Sequence, residues 1–156
     1  MTRPSAQHAS FVIERNFDSP PSQVFAAWAT REGKSRWFVG PPGWTEQLRE
    51  FDFRVGGRER VVGKLENGAL TDFDAVYRDI VPDERIVYAY DMHHGGRKLS
   101  VSLATVEFAP AGKGTRMTLT EQGVFLDGYD DAGSRERGTG GLMDQLAEAL
   151  QEKVKA

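Results

Sequence analysis

The fold is decided by the stretch RWFVGPPGW at residues 36–44, here called the aromatic loop, and by FDFRVGG at residues 51–57. Proline and glycine interrupt the aromatic loop, which therefore forms neither a regular helix nor a strand. The second segment alternates in character and ends in Gly56-Gly57, a pattern typical of a strand that leads into a hairpin turn. The chain thus changes here from helical to strand periodicity.

Six strands are predicted from residue 48 onward, because apolar residues alternate with polar ones and turn residues recur at short intervals. The turn residues lie at 56–57, 66–68, 82–84, 93–96 and 110–114. The second turn contains Asn67-Gly68, a dipeptide that strongly favours a two-residue hairpin loop. This spacing predicts an antiparallel meander.

Three shorter elements are predicted upstream of the aromatic loop. Alternating apolar residues predict a first strand over residues 10–17, preceded by a flexible tail over residues 1–8. Ser19 is a candidate N-cap for a short helix, and the two prolines after it suit a first helical turn. Thr30 is a candidate N-cap for a second short helix that ends near Trp37.

A long amphipathic helix is predicted at the C-terminal end, where apolar residues repeat at three- and four-residue spacing. They are Leu142, Met143, Leu146, Leu150 and Val154. Asp130 or Asp131 can cap the start of this helix. Glycines at 138, 140 and 141 disfavour helix, so we expect a kink there or a close approach of another backbone. Only this helix is long enough to cover the apolar face of the sheet.

Composition limits the classes of function. The chain has 156 residues, a net charge of −3 and no cysteine, and 39% of its residues are hydrophobic. These values predict one globular domain over residues 9–156. The acidic balance disfavours nucleic acid as a partner, and no apolar run is long enough for a membrane span. We expect a cytoplasmic monomer or homodimer without disulfides or thiolate metal sites.

Six motifs in this order resemble the START-like superfamily, also called SRPBCC. They are FDSP (17–20), VFAAW (24–28), WFVGP (37–41), DFRVGG (52–57), IVPDERI (80–86) and GTRMTLT (114–120). More narrowly, the chain is similar to the family of homologues of the activator of the heat-shock-protein-90 ATPase, over roughly residues 10–152. The resemblance implies an α+β helix-grip fold. In that fold a curved seven-stranded antiparallel sheet wraps around the C-terminal helix, and two short helices follow the first strand.

The resemblance also implies a cavity between the sheet and the long helix. Two departures from the family pattern are expected to change its shape: Gly141-Leu142 replaces a usual Gly-Trp pair, and Arg58-Glu59-Arg60 replaces a strand segment with an aromatic residue. Some members of the family bind apolar small molecules, some resemble polyketide cyclases, many have no known role, and the eukaryotic activator uses such a domain as part of a chaperone partner.

Strand parity and the resemblance together predict the residues that contact a ligand. They are Arg15, Trp37, Phe38, Trp44, Tyr77, Tyr88, Tyr90, Met92, Glu121, Leu142, Met143 and Leu146. Trp28 is expected in the core, and core packing is also the favoured interpretation of Tyr88. Trp37 and Trp44 are expected at the mouth of the cavity. Tyr77 and Tyr90 are expected in its wall, where a buried hydroxyl can find a partner.

Arg15 and Glu121 form the predicted charged pair. They lie on the apolar sides of the first and last strands, which are neighbours in the helix-grip order. Two interpretations stay open: an ion pair at the end of the sheet that supports the structure, or a polar anchor inside an apolar pocket.

Three other motifs are interpreted as structural and not as catalytic, nucleotide-binding or metal-binding. Asp52 and Arg54 are interpreted as a surface charge pair. The segment at 138–141 lacks the third glycine and the βαβ context of a dinucleotide loop. His93 and His94 are adjacent, and neighbours on a strand point to opposite faces, which disfavours a metal site.

We predict no catalytic residue, metal or cofactor. The leading hypothesis is a protein that binds a small apolar, aromatic or lipid-like molecule. The alternatives are a polyketide-cyclase-like enzyme that acts in the same cavity and a protein-interaction or chaperone-associated stress-response module.

Overall fold

The computed structural model describes the backbone of residues 3–155 and the side chains of residues 3–152. Seven strands and three helices are formed along the described chain. They are β1 (Ala6–Phe17), α1 (Pro21–Ala29), α2 (Arg31–Ser35), β2 (Thr45–Phe51), β3 (Arg58–Lys64), β4 (Leu70–Val81), β5 (Arg85–His94), β6 (Arg97–Ala111), β7 (Gly114–Leu126) and α3 (Ala132–Lys155). None of the described helices has both the length and the apolar character needed to cross a bilayer.

The seven strands form one antiparallel sheet in the order β1-β7-β6-β5-β4-β3-β2. This order confirms the predicted meander of six strands, with β1 returning to pair with β7. Alternate residues are buried along most of β3 to β7 and the second half of β1, as the two-residue period of a strand requires, and the buried side chains meet α1 and α3 in one core. The predicted α+β helix-grip fold is therefore confirmed.

The first strand begins earlier than the sequence predicted. Ala6 pairs with Leu126 and Ala9 with Gly123, so the prediction of a flexible tail is wrong from Ala6 onward. The reason is that β7 is long and its backbone groups need partners along their whole length. Met1 and Thr2, which also belong to the predicted tail, lie outside the described residues.

Of the two N-caps predicted for the short helices, one is confirmed and one is wrong. Thr30 caps α2 as predicted, because its Oγ1 accepts a hydrogen bond from Gly33 N at 3.0 Å. Ser19 does not cap α1, since Pro20 occupies the N-cap position and no side chain supplies a cap there. Ser19 is instead buried, and its carbonyl accepts a hydrogen bond from Thr115 Oγ1 at 2.7 Å. This bond ties the start of α1 to β7.

Helix α3 begins after Asp131, whose Oδ1 accepts a hydrogen bond from Ser134 N at 2.8 Å and confirms one of the two predicted caps. The helix continues through its three glycines without interruption. An added Cβ at Gly138 or Gly141 would meet nothing within 4 Å, so the expected close approach of another backbone is wrong there. Met143, Leu146 and Leu150 are buried as predicted, and the Val154 side chain lies outside the described residues.

Candidate functional site

A cavity of about 460 Å³ lies between the inner face of the sheet and α3, with the aromatic loop along one side. The residue types on its wall are mainly aromatic and aliphatic. The apolar part comprises Trp28, Trp37, Phe38, Val39, Pro41, Trp44, Val61, Leu65, Phe73, Tyr88, Met92, Leu119, Leu142 and Met143. A wall of this kind with a few polar groups is the usual construction of a small-molecule site.

The aromatic side chains of the wall pack edge to face, the arrangement that ring quadrupoles favour. The ring centroids of Trp28 and Trp37 lie 4.7 Å apart, and those of Phe38 and Phe73 are separated by the same distance. Phe73 also lies 4.8 Å from Tyr90. Because these rings come from α1, the aromatic loop, β4 and β5, the wall is held by several elements at once.

The two tryptophans predicted at the mouth have different positions. Trp44 is half-buried, lies across Gly63 of β3, and donates from Nε1 to Thr71 Oγ1 at 3.1 Å. Trp37 is only 1% exposed and donates from Nε1 to the carbonyl of Ala27 at 2.9 Å. The placement of Trp37 at the mouth is therefore wrong, since it forms an inner part of the wall.

One end of the cavity carries a buried polar cluster. Glu121 of β7 is 3% exposed, and its Oε2 accepts a hydrogen bond from the Tyr90 hydroxyl at 2.8 Å. Arg135 of α3 donates to the same hydroxyl at 3.0 Å, and its Nη1 lies 3.7 Å from Glu121 Oε2. Arg135 Nη2 also donates to Ser100 Oγ at 2.8 Å and to Asp130 Oδ2 at 3.2 Å.

Burial is the largest cause of the pKa shifts of Glu121 and Tyr90. Loss of solvation raises the pKa of Glu121, although the Tyr90 hydroxyl and the Arg135 guanidinium stabilise its charged form. Burial beside Glu121 also raises the pKa of Tyr90, which therefore stays protonated and keeps its hydrogen-bond donor. A carboxyl group with a raised pKa in the wall of a cavity is common at functional sites, although structural ion pairs shift pKa values as well.

Arg15 and Glu121 do not pair, which corrects the sequence prediction. Both side chains are on the inner side of the sheet, but Arg15 lies opposite Met117, and Glu121 lies opposite Phe11. The two residues are therefore four positions apart in register. Arg15 instead donates to the carbonyl of Gly140 at 3.3 Å and lies 3.5 Å from Asp144 Oδ1, outside the cavity. Strand parity predicts the face of a sheet but not the register between two strands.

A second buried polar cluster lies behind the aromatic wall, and sequence reasoning missed it. Lys34 of α2 and Glu59 of β3 are each 1% exposed, and Lys34 Nζ lies 2.7 Å from Glu59 Oε1. Tyr77 donates to the same oxygen at 2.6 Å. Tyr77 was predicted in the wall of the cavity but lies outside it. Glu59 occupies the inward parity of β3 together with Val61, and this parity was the available signal.

Aromatic rings surround the Lys34 ammonium. The centroids of five rings lie 4.7–5.9 Å from Nζ, close enough for cation–π attraction. The rings belong to Trp28, Trp37, Phe38, Phe73 and Tyr88. Burial lowers the pKa of Lys34, while the Glu59 carboxylate opposes that change. All five rings also line the cavity, so the ion pair supports the wall from behind.

Most of the predicted contact residues come together in the cavity. Those that line it are Trp37, Phe38, Trp44, Tyr88, Tyr90, Met92, Glu121, Leu142 and Met143, whereas Arg15, Tyr77 and Leu146 do not. Sequence reasoning missed Arg135, Gly138 and Gln145, which enter from α3. The expected surface pair of Asp52 and Arg54 is present at 2.8 Å, just after β2 ends. Among the described residues, no group of three or more acidic or histidine side chains could hold a metal ion.

A model of the family described as Activator of Hsp90 ATPase homolog 1-like protein matches residues 18–151. An uncharacterised protein from Rhizobium leguminosarum is 45% identical, with a TM-score of 0.92 over 97% of this chain and 99% of that chain. The Mll3558 protein from Rhizobium loti is 46% identical, with a TM-score of 0.86 over 93% of this chain and 99% of that chain.

A more distant likeness concerns the fold alone. The AHSA1-like protein from Aeromonas hydrophila is 20% identical, with a TM-score of 0.74 over 93% of this chain and 94% of that chain. No match was found among curated proteins.

Proposed function

The chain belongs to the Activator of Hsp90 ATPase homolog 1-like family, and we propose that it binds a small apolar or aromatic molecule between the sheet and α3. The main support for this proposal is the cavity of about 460 Å³, whose wall is largely aromatic and aliphatic. The buried polar cluster of Tyr90, Glu121 and Arg135 lies at one end of it. That combination supplies both burial for an apolar body and a fixed position for a polar group.

The energetics favour a ligand that is mainly hydrocarbon. Removing about 200 Å² of apolar ligand surface from water contributes roughly 5 kcal/mol at about 25 cal/mol per Å². The wall is already held by hydrogen bonds, such as the bond from Gln145 Nε2 to the carbonyl of Trp37 at 2.6 Å. A preformed wall reduces the ordering that binding requires, so more of the burial energy becomes affinity.

Two glycines of α3 help to create the available space. Gly138 and Gly141 both line the cavity, and an added Cβ at either position would meet nothing within 4 Å. A larger side chain at Gly141 would therefore extend into space that a ligand would use. Gly140 lies on the same helix but outside the cavity, where an added Cβ would meet Arg15 Nη2 at 3.5 Å.

Intrinsic fluorescence can test the proposal, because the chain has three tryptophans and all of them line the cavity. We expect ethylnaphthalene to change the tryptophan emission in a saturable way. Gly141→Leu should weaken this binding by about tenfold or more, since the leucine would occupy the space of the probe. Gly140→Ala is the matched control and should keep the wild-type affinity. Equal affinity in wild type and Gly141→Leu would refute binding in this cavity.

A further inference from the structure

Two polar groups on the cavity wall have hydrogen-bonding capacity that no described residue uses. Tyr88 is 6% exposed, and its hydroxyl makes no hydrogen bond with a described residue. Glu121 accepts a hydrogen bond from the Tyr90 hydroxyl through Oε2, whereas no short hydrogen bond reaches its Oε1, and the nearby Ser102 hydroxyl stabilises the carboxylate less than Tyr90 does. Four side-chain atoms of the described residues are completely buried and have no hydrogen-bond partner: Trp28 Nε1, Glu59 Oε2, His93 Nδ1 and Ser102 Oγ. The Tyr88 hydroxyl and Glu121 Oε1 are not among these completely buried atoms. Both atoms therefore remain in contact with open volume.

Several other polar groups of the cavity wall are already engaged. The Tyr90 hydroxyl donates to Glu121 and accepts from Arg135, so its proton is committed. Trp44 Nε1 donates to Thr71, and Gln145 Nε2 donates to backbone carbonyls of the aromatic loop. Unused capacity on a wall this strongly buried is unusual, since buried polar groups normally find partners. Tyr88 of β5 and Glu121 of β7 both lie opposite Ala104 of β6, so they occupy one row across the inner face of the sheet and are called here the open pair.

The chemistry of the open pair selects one kind of ligand group. Tyr88 offers an O–H donor, and the Glu121 carboxylate offers an acceptor. A hydroxyl group satisfies both at once, because it donates one hydrogen bond and accepts another. An ammonium group has no acceptor and would leave the Tyr88 proton unpaired. A carboxylate has no donor and would be repelled by Glu121.

We propose that the cavity recognises a hydroxyl group on an aromatic or apolar body, with Glu121 Oε1 as its acceptor and the Tyr88 hydroxyl as its donor. This inference rests on the proposed function. Burial raises the pKa of Glu121, so the acceptor role is fully developed on the alkaline side of that pKa. Arg135 stays at Oε2, 3.7 Å away, and stabilises the carboxylate without occupying the open oxygen.

A series of probes that share one ring system tests the selection at pH 8. The probes are naphthylmethanol, ethylnaphthalene, naphthylmethylamine and naphthoate, and the readout is tryptophan fluorescence. We expect naphthylmethanol to bind about tenfold more tightly than ethylnaphthalene, because each net hydrogen bond contributes modestly and two are made. The charged amine and carboxylate should bind more weakly than the alcohol.

The variant Tyr88→Phe removes only the proposed donor. It should reduce the preference for naphthylmethanol over ethylnaphthalene severalfold, toward equal binding. Tyr77→Phe is the matched control, because Tyr77 is a neighbouring buried tyrosine whose hydroxyl binds Glu59 outside the cavity. It should keep the wild-type preference.

The possible outcomes separate this inference from the proposed function. Equal binding of the alcohol and ethylnaphthalene by the wild-type protein would overturn the hydroxyl inference and leave ligand binding intact. The tightest binding by naphthoate or by the amine would overturn it as well, as would an unchanged preference in Tyr88→Phe. Absence of binding by all four probes would overturn both proposals.

Discussion

At the scale of single residues, the ion pair of Lys34 and Glu59 is the most deeply buried charge contact among the described residues. The pair joins α2 to β3, and the lysine ammonium lies among five rings that also form the cavity wall. Desolvation of two charges opposes their attraction, so such a pair adds little net stability. The pair instead holds the end of α2 at a fixed distance from the sheet.

Removing one partner of the pair should destabilise the protein. Lys34→Met leaves the Glu59 carboxylate buried without its counter-charge, and we expect a loss of about 3–5 kcal/mol in the free energy of unfolding. The double variant Lys34→Met/Glu59→Met should recover most of that loss, because no charge is left buried. Urea denaturation of the single and double variants measures both values. Additive losses in the double variant would contradict this description of the pair.

Glu121 should make the free energy of unfolding depend on pH. Burial raises its pKa in the folded protein above the value of about 4.3 for an unfolded glutamate. Between these two values the unfolded chain has released its proton while the folded protein keeps it, so stability falls as pH rises through that window. Glu121→Gln cannot titrate and should lack this contribution.

The measurement is the difference between wild type and Glu121→Gln in unfolding free energy from pH 4 upward. The difference should decline with pH and become constant above the folded pKa. Asp74 acts in the opposite direction, because its hydrogen bonds to Arg58 lower its pKa, but its contribution is common to both proteins and cancels. A difference that rises with pH would show that Glu121 is stabilised as an anion.

At the scale of elements, the aromatic loop is fixed to the sheet by the contact between Trp44 and β3. A Cβ built on Gly63 would overlap the indole of Trp44, so only glycine permits the indole to lie across the strand. Trp44 then reaches Thr71 of β4 through its indole N–H. This contact determines where the loop borders the cavity.

Gly63→Ala should displace Trp44 and destabilise the protein by about 1–3 kcal/mol, the usual effect of overpacking. The tryptophan emission should shift to longer wavelength as the indole becomes more exposed. Gly140→Ala on α3 is the comparison, because its Cβ would meet only a side-chain atom at 3.5 Å. That change should raise stability slightly, since alanine favours helix over glycine by about 1 kcal/mol. An unchanged emission spectrum in Gly63→Ala would contradict the proposed contact.

At the scale of the whole molecule, the order and type of the elements could be predicted from the sequence. Hairpin residues and two-residue periodicity are local signals, and they correctly indicated the meander from β2 to β7. Local signals also identified most of the aromatic wall, because inward parity and aromatic character coincide at positions such as Tyr88 and Tyr90.

The polar part of the site could not be predicted in the same way. The pairing of Glu121 with Arg135, rather than with Arg15, depends on strand register and on how α3 crosses the sheet. The pair of Lys34 and Glu59 joins residues from a short helix and a strand that no local pattern brings together. Long-range geometry of this kind is absent from periodicity, which reports only the face on which a residue lies.

An apolar ligand is expected to occupy the cavity between the sheet and α3. The most direct test is a crystal structure of the protein with ethylnaphthalene bound. We expect the naphthalene ring to lie among Phe38, Trp44 and Leu142, with its edge near Gly141. A ring bound only on the outer face of the sheet, with the cavity empty, would contradict it.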